Sequence, residues 1–164
     1  MIYNKKNLSV EENVELLRSE VQWESIGNEK TLEENVFDNL DDICEGLGLP
    51  PILVKERQRQ IRFDGSQVIM DIVVRHEDES ATIFEIKKGS RRYPSTSPQL
   101  QMQAIGQLLL YKNLFKMRTG VTPRLILLDN KIHRRTMWTF AESDLPITLV
   151  ELQKDRVFVP YKTF

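Results

Sequence analysis

The sequence predicts a mixed α/β domain, a sheet of about four or five strands flanked by helices in the order αβββαβ. Three observations predict it. Residues 67–89, QVIMDIVVRHEDESATIFEIKKG, hold two apolar runs, 67–75 and 81–87, joined by a polar turn at 76–80, which is the pattern of a β-hairpin. A long helical pattern over 99–118 is followed by a compact apolar strand at 124–128. Before the hairpin, NEKTLEENVFDNLDDI places Leu32, Val36, Leu40 and Ile43 on one helical stripe.

In chain order, residues 1–27 read as partly helical, with Val10, Val14, Leu17 and Val21 near helical spacing. The helix of residues 28–43 carries acids toward its N-terminal end, where the helix dipole favours them. Gly46, Gly48, Pro50 and Pro51 end it. Residues 52–63, ILVKERQRQIRF, form a polar strand with Lys55, Arg57 and Arg59 on one side and Glu56, Gln58 and Gln60 on the other. A strand polar on both faces belongs at a sheet edge. Asp64-Gly65-Ser66 turns the chain into the central hairpin, and a loop, KGSRRYPSTSP, follows it. Ser97 and Pro98 cap and begin the long helix, which Gly120 closes. On that helix Ala104, Leu108, Tyr111 and Phe115 run down one side, and Gln99, Gln103 and Gln107 recur every fourth position. A basic turn, residues 131–135, leads to a short irregular or helical piece and to final strands at 147–152 and 157–159. Trp23, Trp138 and Phe140 are expected in the core.

With 164 residues, 40% of them hydrophobic, one ordinary core is expected, a single domain over 1–164 with a helical extension at about 1–27. The net charge of −1 hides an asymmetry. Residues 1–50 carry four Lys/Arg against twelve Asp/Glu, while 87–135 carry eleven Lys/Arg against Asp129 alone, or −8 and +10. A basic segment on a near-neutral chain is compatible with a polyanionic partner. No apolar run reaches membrane-spanning length and the N-terminus lacks the apolar core of a signal peptide, so a soluble, cytoplasmic protein with no membrane partner is expected. The single cysteine, Cys44, excludes an intrachain disulfide and a cysteine-based zinc site.

Alternation along a strand puts Glu85 and Lys87 on one face, with Phe84 and Ile86 on the other. A turn symmetric about Asp78 pairs 75 with 81, 73 with 83 and 71 with 85, which sets Asp71 across from Glu85. Opposed carboxylates then lie about 5 Å apart. Two like charges there destabilise a hairpin unless something positive lies between them, and a divalent cation with an oxygen shell answers that need. His76 and His133 have no partner at metal spacing and are assigned no role.

Asp71 in VIMDIVV, then Glu85-Ile86-Lys87 in IFEIKKG, then Gly106-Gln107-Leu108-Leu109-Leu110-Tyr111 resemble the PD-(D/E)XK nuclease superfamily, with its restriction-endonuclease-like core. Within it, residues 28–111 look most like the flap and mismatch endonuclease (NucS-like) branch; the likeness covers roughly half of the chain. Met70 stands where the motif's name has proline.

The resemblance implies an Mg²⁺-dependent (or Mn²⁺-dependent) endodeoxyribonuclease, a hydrolase of phosphodiester bonds in DNA. Asp71, Glu85 and the backbone carbonyl of Ile86 would hold the metal, and Lys87 would position the attacking water and offset charge on the phosphorus. A helix acid completes such sites, and Glu29 matches its position better than Glu33, one turn on. Gln107 matches the family glutamine near the metal water, with Gln103 one turn away as its substitute. Lys88, Arg91, Arg92, Arg134 and Arg135 could meet phosphates and Tyr93 could stack on a base, contacts that fix position without reading sequence. Many relatives form homodimers. The alternative is a nucleic-acid-binding module that keeps the nuclease fold without turnover; Lys87 salt-bridged away, or no opening above Asp71, would mark it.

Overall fold

Asn39 divides the first helical stretch. The computed structural model describes residues 29–89, 97–141, 143–153 and 156–164, and there the helix expected over 28–43 becomes α1 (Glu29–Asp38) and α2 (Leu40–Gly46). The Asn39 side chain donates to the Asn35 carbonyl at 2.9 Å, and its backbone departs from helical angles at φ −107°, ψ 21°. Asparagine competes with the helix ladder in this way. The helical stretch expected within 1–27 lies outside the described residues.

Six strands follow, β1 (Ile52–Phe63), β2 (Ser66–His76), β3 (Ala81–Ile86), β4 (Arg124–Asp129), β5 (Ile147–Gln153) and β6 (Arg156–Tyr161), with α3 (Pro98–Thr119) between β3 and β4 and α4 (Arg134–Phe140) between β4 and β5. They form one sheet in chain order. β1, β2 and β3 pair antiparallel, β3 to β5 are parallel, and β6 returns antiparallel. Strands covered on both faces read as unbroken apolar runs, which is why ATIFEI and RLILLD carry no alternation. The sheet includes both expected C-terminal strands.

Helices cover both faces. Leu32, Val36, Leu40 and Ile43 of α1 and α2 pack with Ile72, Phe84, Ile126 and Leu128 on one face. Ala104, Leu108, Tyr111 and Phe115 of α3, with Phe140 of α4, pack with Val73, Ile83, Leu125 and Leu127 on the other. α3 begins at Ser97, whose hydroxyl accepts from the Leu100 N–H at 3.3 Å, and ends at Gly120, whose φ of +75° is the left-handed turn that glycine makes without strain. Trp138, expected in the core, is 48% exposed, because α4 turns Met137 and Phe140 inward instead. Cys44 is buried in the α2 layer, and burial first, then Asp41, pushes its thiol up to about 12.

The long outer hairpin does not keep one face throughout. Lys55 reaches α1, donating to the Phe37 carbonyl at 2.9 Å, whereas Arg59 lies over the Phe115 ring of α3, 5.4 Å from its centroid. On β2 likewise, Ile72 and Val74 face the α1–α2 layer while Met70 joins the α3 layer. The register is continuous across this point, Arg57 with Ile72 and Arg59 with Met70, so no residue is inserted. The exchange occurs at the pair between them, Gln58 and Asp71, where Gln58 takes a left-handed backbone at φ +50°. Lys55, Arg57 and Arg59 therefore do not share one side as strict alternation predicts. As expected of a polar strand, β1 lies at the sheet edge.

Candidate active site

The expected hairpin register is observed from Arg75 with Ala81 to Ile72 with Phe84. At the next position the side chain takes over from the backbone: Asp71 Oδ2 accepts the Ile86 N–H at 2.8 Å. β2 and β3 part here, and Asp71 is partly buried at the opening. Glu85, 3% exposed, has Oε1 3.3 Å from Lys87 Nζ. Its other oxygen, Oε2, is buried and accepts no hydrogen bond among the described residues. The lysine thus stays beside Glu85.

Two helices reach this opening. On α3, Tyr111 is buried and its hydroxyl donates to the Ile69 carbonyl at 2.9 Å. Burial first, then the charges of Glu85 and Asp71, raise the phenol well above its ordinary range, so it remains a neutral donor to that carbonyl. On α1, Glu33 is 7% exposed; its Oε1 lies 3.2 Å from Arg57 Nε, and the Gln58 amide nitrogen is 2.9 Å from Oε1 and 3.0 Å from Oε2. The same nitrogen is 3.4 Å from Asp71 Oδ1. Gln58 therefore ties the helix acid to the strand acid. Nothing in RQRQ singles it out, since each residue of that run suits an exposed edge strand.

The structure brings Glu33, Asp71, Glu85 and Lys87 to one end of the sheet. Glu29 opens α1, and its side chain lies outside the described residues, as do Arg91, Arg92 and Tyr93. Gln107 and Gln103 are exposed on α3, one and two turns before Tyr111; the buried glutamine of that helix is Gln101. Lys88 is partly buried with Nζ 3.5 Å from the Gly89 carbonyl, and Arg134 and Arg135 are exposed at the start of α4. Ile86 engages Asp71 through its N–H.

Among the described residues no group of three or more His, Cys, Asp or Glu is arranged to hold a metal ion. The donor set nevertheless suits Mg²⁺ or Mn²⁺. These are hard cations that take one or two carboxylates and keep several waters, and the acids here are oxygen donors at an opening.

The core is thus a mixed sheet with helices on both faces, with these acids where β2 leaves β3. Among solved structures the chain is similar to the crystal structure of a repair endonuclease from Pyrococcus abyssi, at 16% identity and a TM-score of 0.50. The match covers 75% of this chain and 46% of that one, so the chain spans under half the length of its structural neighbour. At this identity the likeness shows the fold, a restriction-endonuclease-like core. No family model matches the chain, and no curated protein matches it. No helix of the described residues is long and apolar enough to cross a membrane.

Proposed function

We propose that the chain is a metal-dependent nuclease of the PD-(D/E)XK type that hydrolyses phosphodiester bonds in DNA and resembles the flap and mismatch endonuclease branch. The observation that carries this reading is the meeting of Asp71, Glu85 and Lys87 at the parting of two strands, with Glu33 joined to Asp71 through Gln58. An acid on a strand of mostly apolar neighbours is costly unless its charge is used. Here the acids come from β2, β3 and α1, which contribute one each.

Asp71 and Glu85 would hold one or two cations, and Glu33, joined to Asp71 through Gln58, would complete the shell on the Asp71 side. Such a cation polarises the scissile phosphate and lowers the pKa of an attacking water. Lys87, 3.3 Å from Glu85, would orient that water and offset charge developing on the phosphate. Tyr111 anchors β2 at the Ile69 carbonyl, two residues before Asp71, and Gln107 lies one turn before Tyr111 on the exposed side of α3. Lys88, Arg134 and Arg135 would meet phosphates beyond the scissile bond.

The test is a cleavage panel with Mg²⁺ or Mn²⁺ on single-stranded, duplex and branched DNA, comparing wild type, Asp71→Asn and Lys87→Ala. Metal-dependent products from wild type, lost in both variants with the fold intact, are expected. Undiminished cleavage by Asp71→Asn would overturn the assignment, and DNA binding without products would point to the module that binds without turnover.

A further inference from the structure

We infer that Gln58 guards the metal site: in the cation-free protein its amide nitrogen stands between Glu33 and Asp71 where a divalent ion would bind, and the ion displaces it. This rests on the proposed reading of these acids as a cation site. The nitrogen lies 2.9, 3.0 and 3.4 Å from three carboxylate oxygens of two residues. An amide NH₂ has two hydrogens to share among those three oxygens. It is the neutral group whose positive end best replaces an ion between like charges.

Three features make the amide a removable guard. Gln58 is exposed and lies on the edge strand, so its side chain has solvent to swing into. Arg57 Nε, 3.2 Å from Glu33, keeps that acid in place when the amide leaves. The left-handed backbone at φ +50° aims the side chain back over Asp71, a conformation in which a residue with a Cβ is strained.

An internal group that occupies a binding site weakens the apparent affinity by the fraction of time it is bound. Removing it should therefore tighten cation binding, whereas a merely structural residue would leave affinity unchanged or weaken it. Gln58→Gly relieves the backbone, and Gln58→Met keeps the side-chain length without the donor. In Mn²⁺ calorimetry on the full chain, both variants are expected to bind about tenfold more tightly than wild type, the scale of one charge-assisted hydrogen bond. In a separate nuclear magnetic resonance titration of wild type with Mg²⁺, the Gln58 side-chain N–H₂ signals should move to the position of a solvent-exposed amide.

Equal or weaker Mn²⁺ binding by the variants, or amide signals unmoved at saturating Mg²⁺, would overturn the inference. Asp71→Asn separates the two levels. If it abolishes Mn²⁺ binding while the Gln58 variants show no gain, only the guard falls. If it binds Mn²⁺ as wild type does, the site reading falls and the guard with it.

Discussion

Gln58 and Gln101 are both glutamines whose amides join separate elements, and their surroundings are opposite. Gln101, on α3, is buried, with its nitrogen 2.9 Å from Asp129 Oδ2 and 3.0 Å from the Lys131 carbonyl. Its oxygen accepts from the His133 N–H at 2.9 Å and the Thr136 hydroxyl at 2.6 Å. Both donors and both acceptor positions are filled, so the group pins the β4–α4 turn to the long helix. Gln58 is exposed and spends its nitrogen on two carboxylates that repel one another. The difference separates a closed polar network, which serves stability, from an open one at the solvent edge of the sheet.

Variants can break this contrast. The largest effect is expected for Asp71→Asn, which should lower DNA hydrolysis by about a thousandfold or more, measured as initial rates under saturating Mg²⁺, while thermal stability is unchanged or raised as repulsion with Glu33 and Glu85 is relieved. At the closed network the pattern reverses. Gln101→Leu should cost about 2–4 kcal/mol in urea unfolding, because buried polar groups lose their partners, and should leave Mn²⁺ affinity at the Asp71 site unchanged.

A smaller effect is tied to pH. His76 is fully buried, its Nδ1 2.7 Å from the Pro50 carbonyl and its Nε2 2.8 Å from the Thr82 hydroxyl. Burial above all, with Arg124 adding to it, holds its pKa below the ordinary imidazole value. The unfolded chain therefore takes the proton first, so stability is full above about pH 6.5 and declines as pH falls below it. Melting temperatures measured from pH 7.5 down to 5 should show that slope, and His76→Gln should flatten it. The smallest effect is expected for Arg59→Ala, about 0.5–1 kcal/mol of unfolding free energy from its loss over Phe115, with α1 undisturbed because Arg59 has crossed to the other face.

What the sequence made legible follows its periodicities. The stripe of Leu32, Val36, Leu40 and Ile43 and that of Ala104, Leu108, Tyr111 and Phe115 are buried, and β2 and β3 pair in the register read from their turn. The break at Asn39 was not legible, because apolar spacing continues through a one-residue interruption. The exposure of Trp138 was hidden for the same reason: on a short helix, composition does not say which side turns inward. The facial exchange at Gln58 escaped a period-two reading, since a single left-handed residue shifts the phase without changing the letters. The i, i+4 spacing of Glu29 and Glu33 places both on one face, and only contact with Arg57 and Gln58 shows Glu33 reaching the strands.

The lone thiol in the α2 layer offers a stopwatch for the molecule's breathing. A buried sulfur whose pKa burial pushes up to about 12 carries little thiolate, so it reacts slowly with alkylating reagents while the helices are seated. Its labelling rate under mild conditions therefore counts how often α2 lifts from the sheet, with no competing cysteine in the chain to blur the signal.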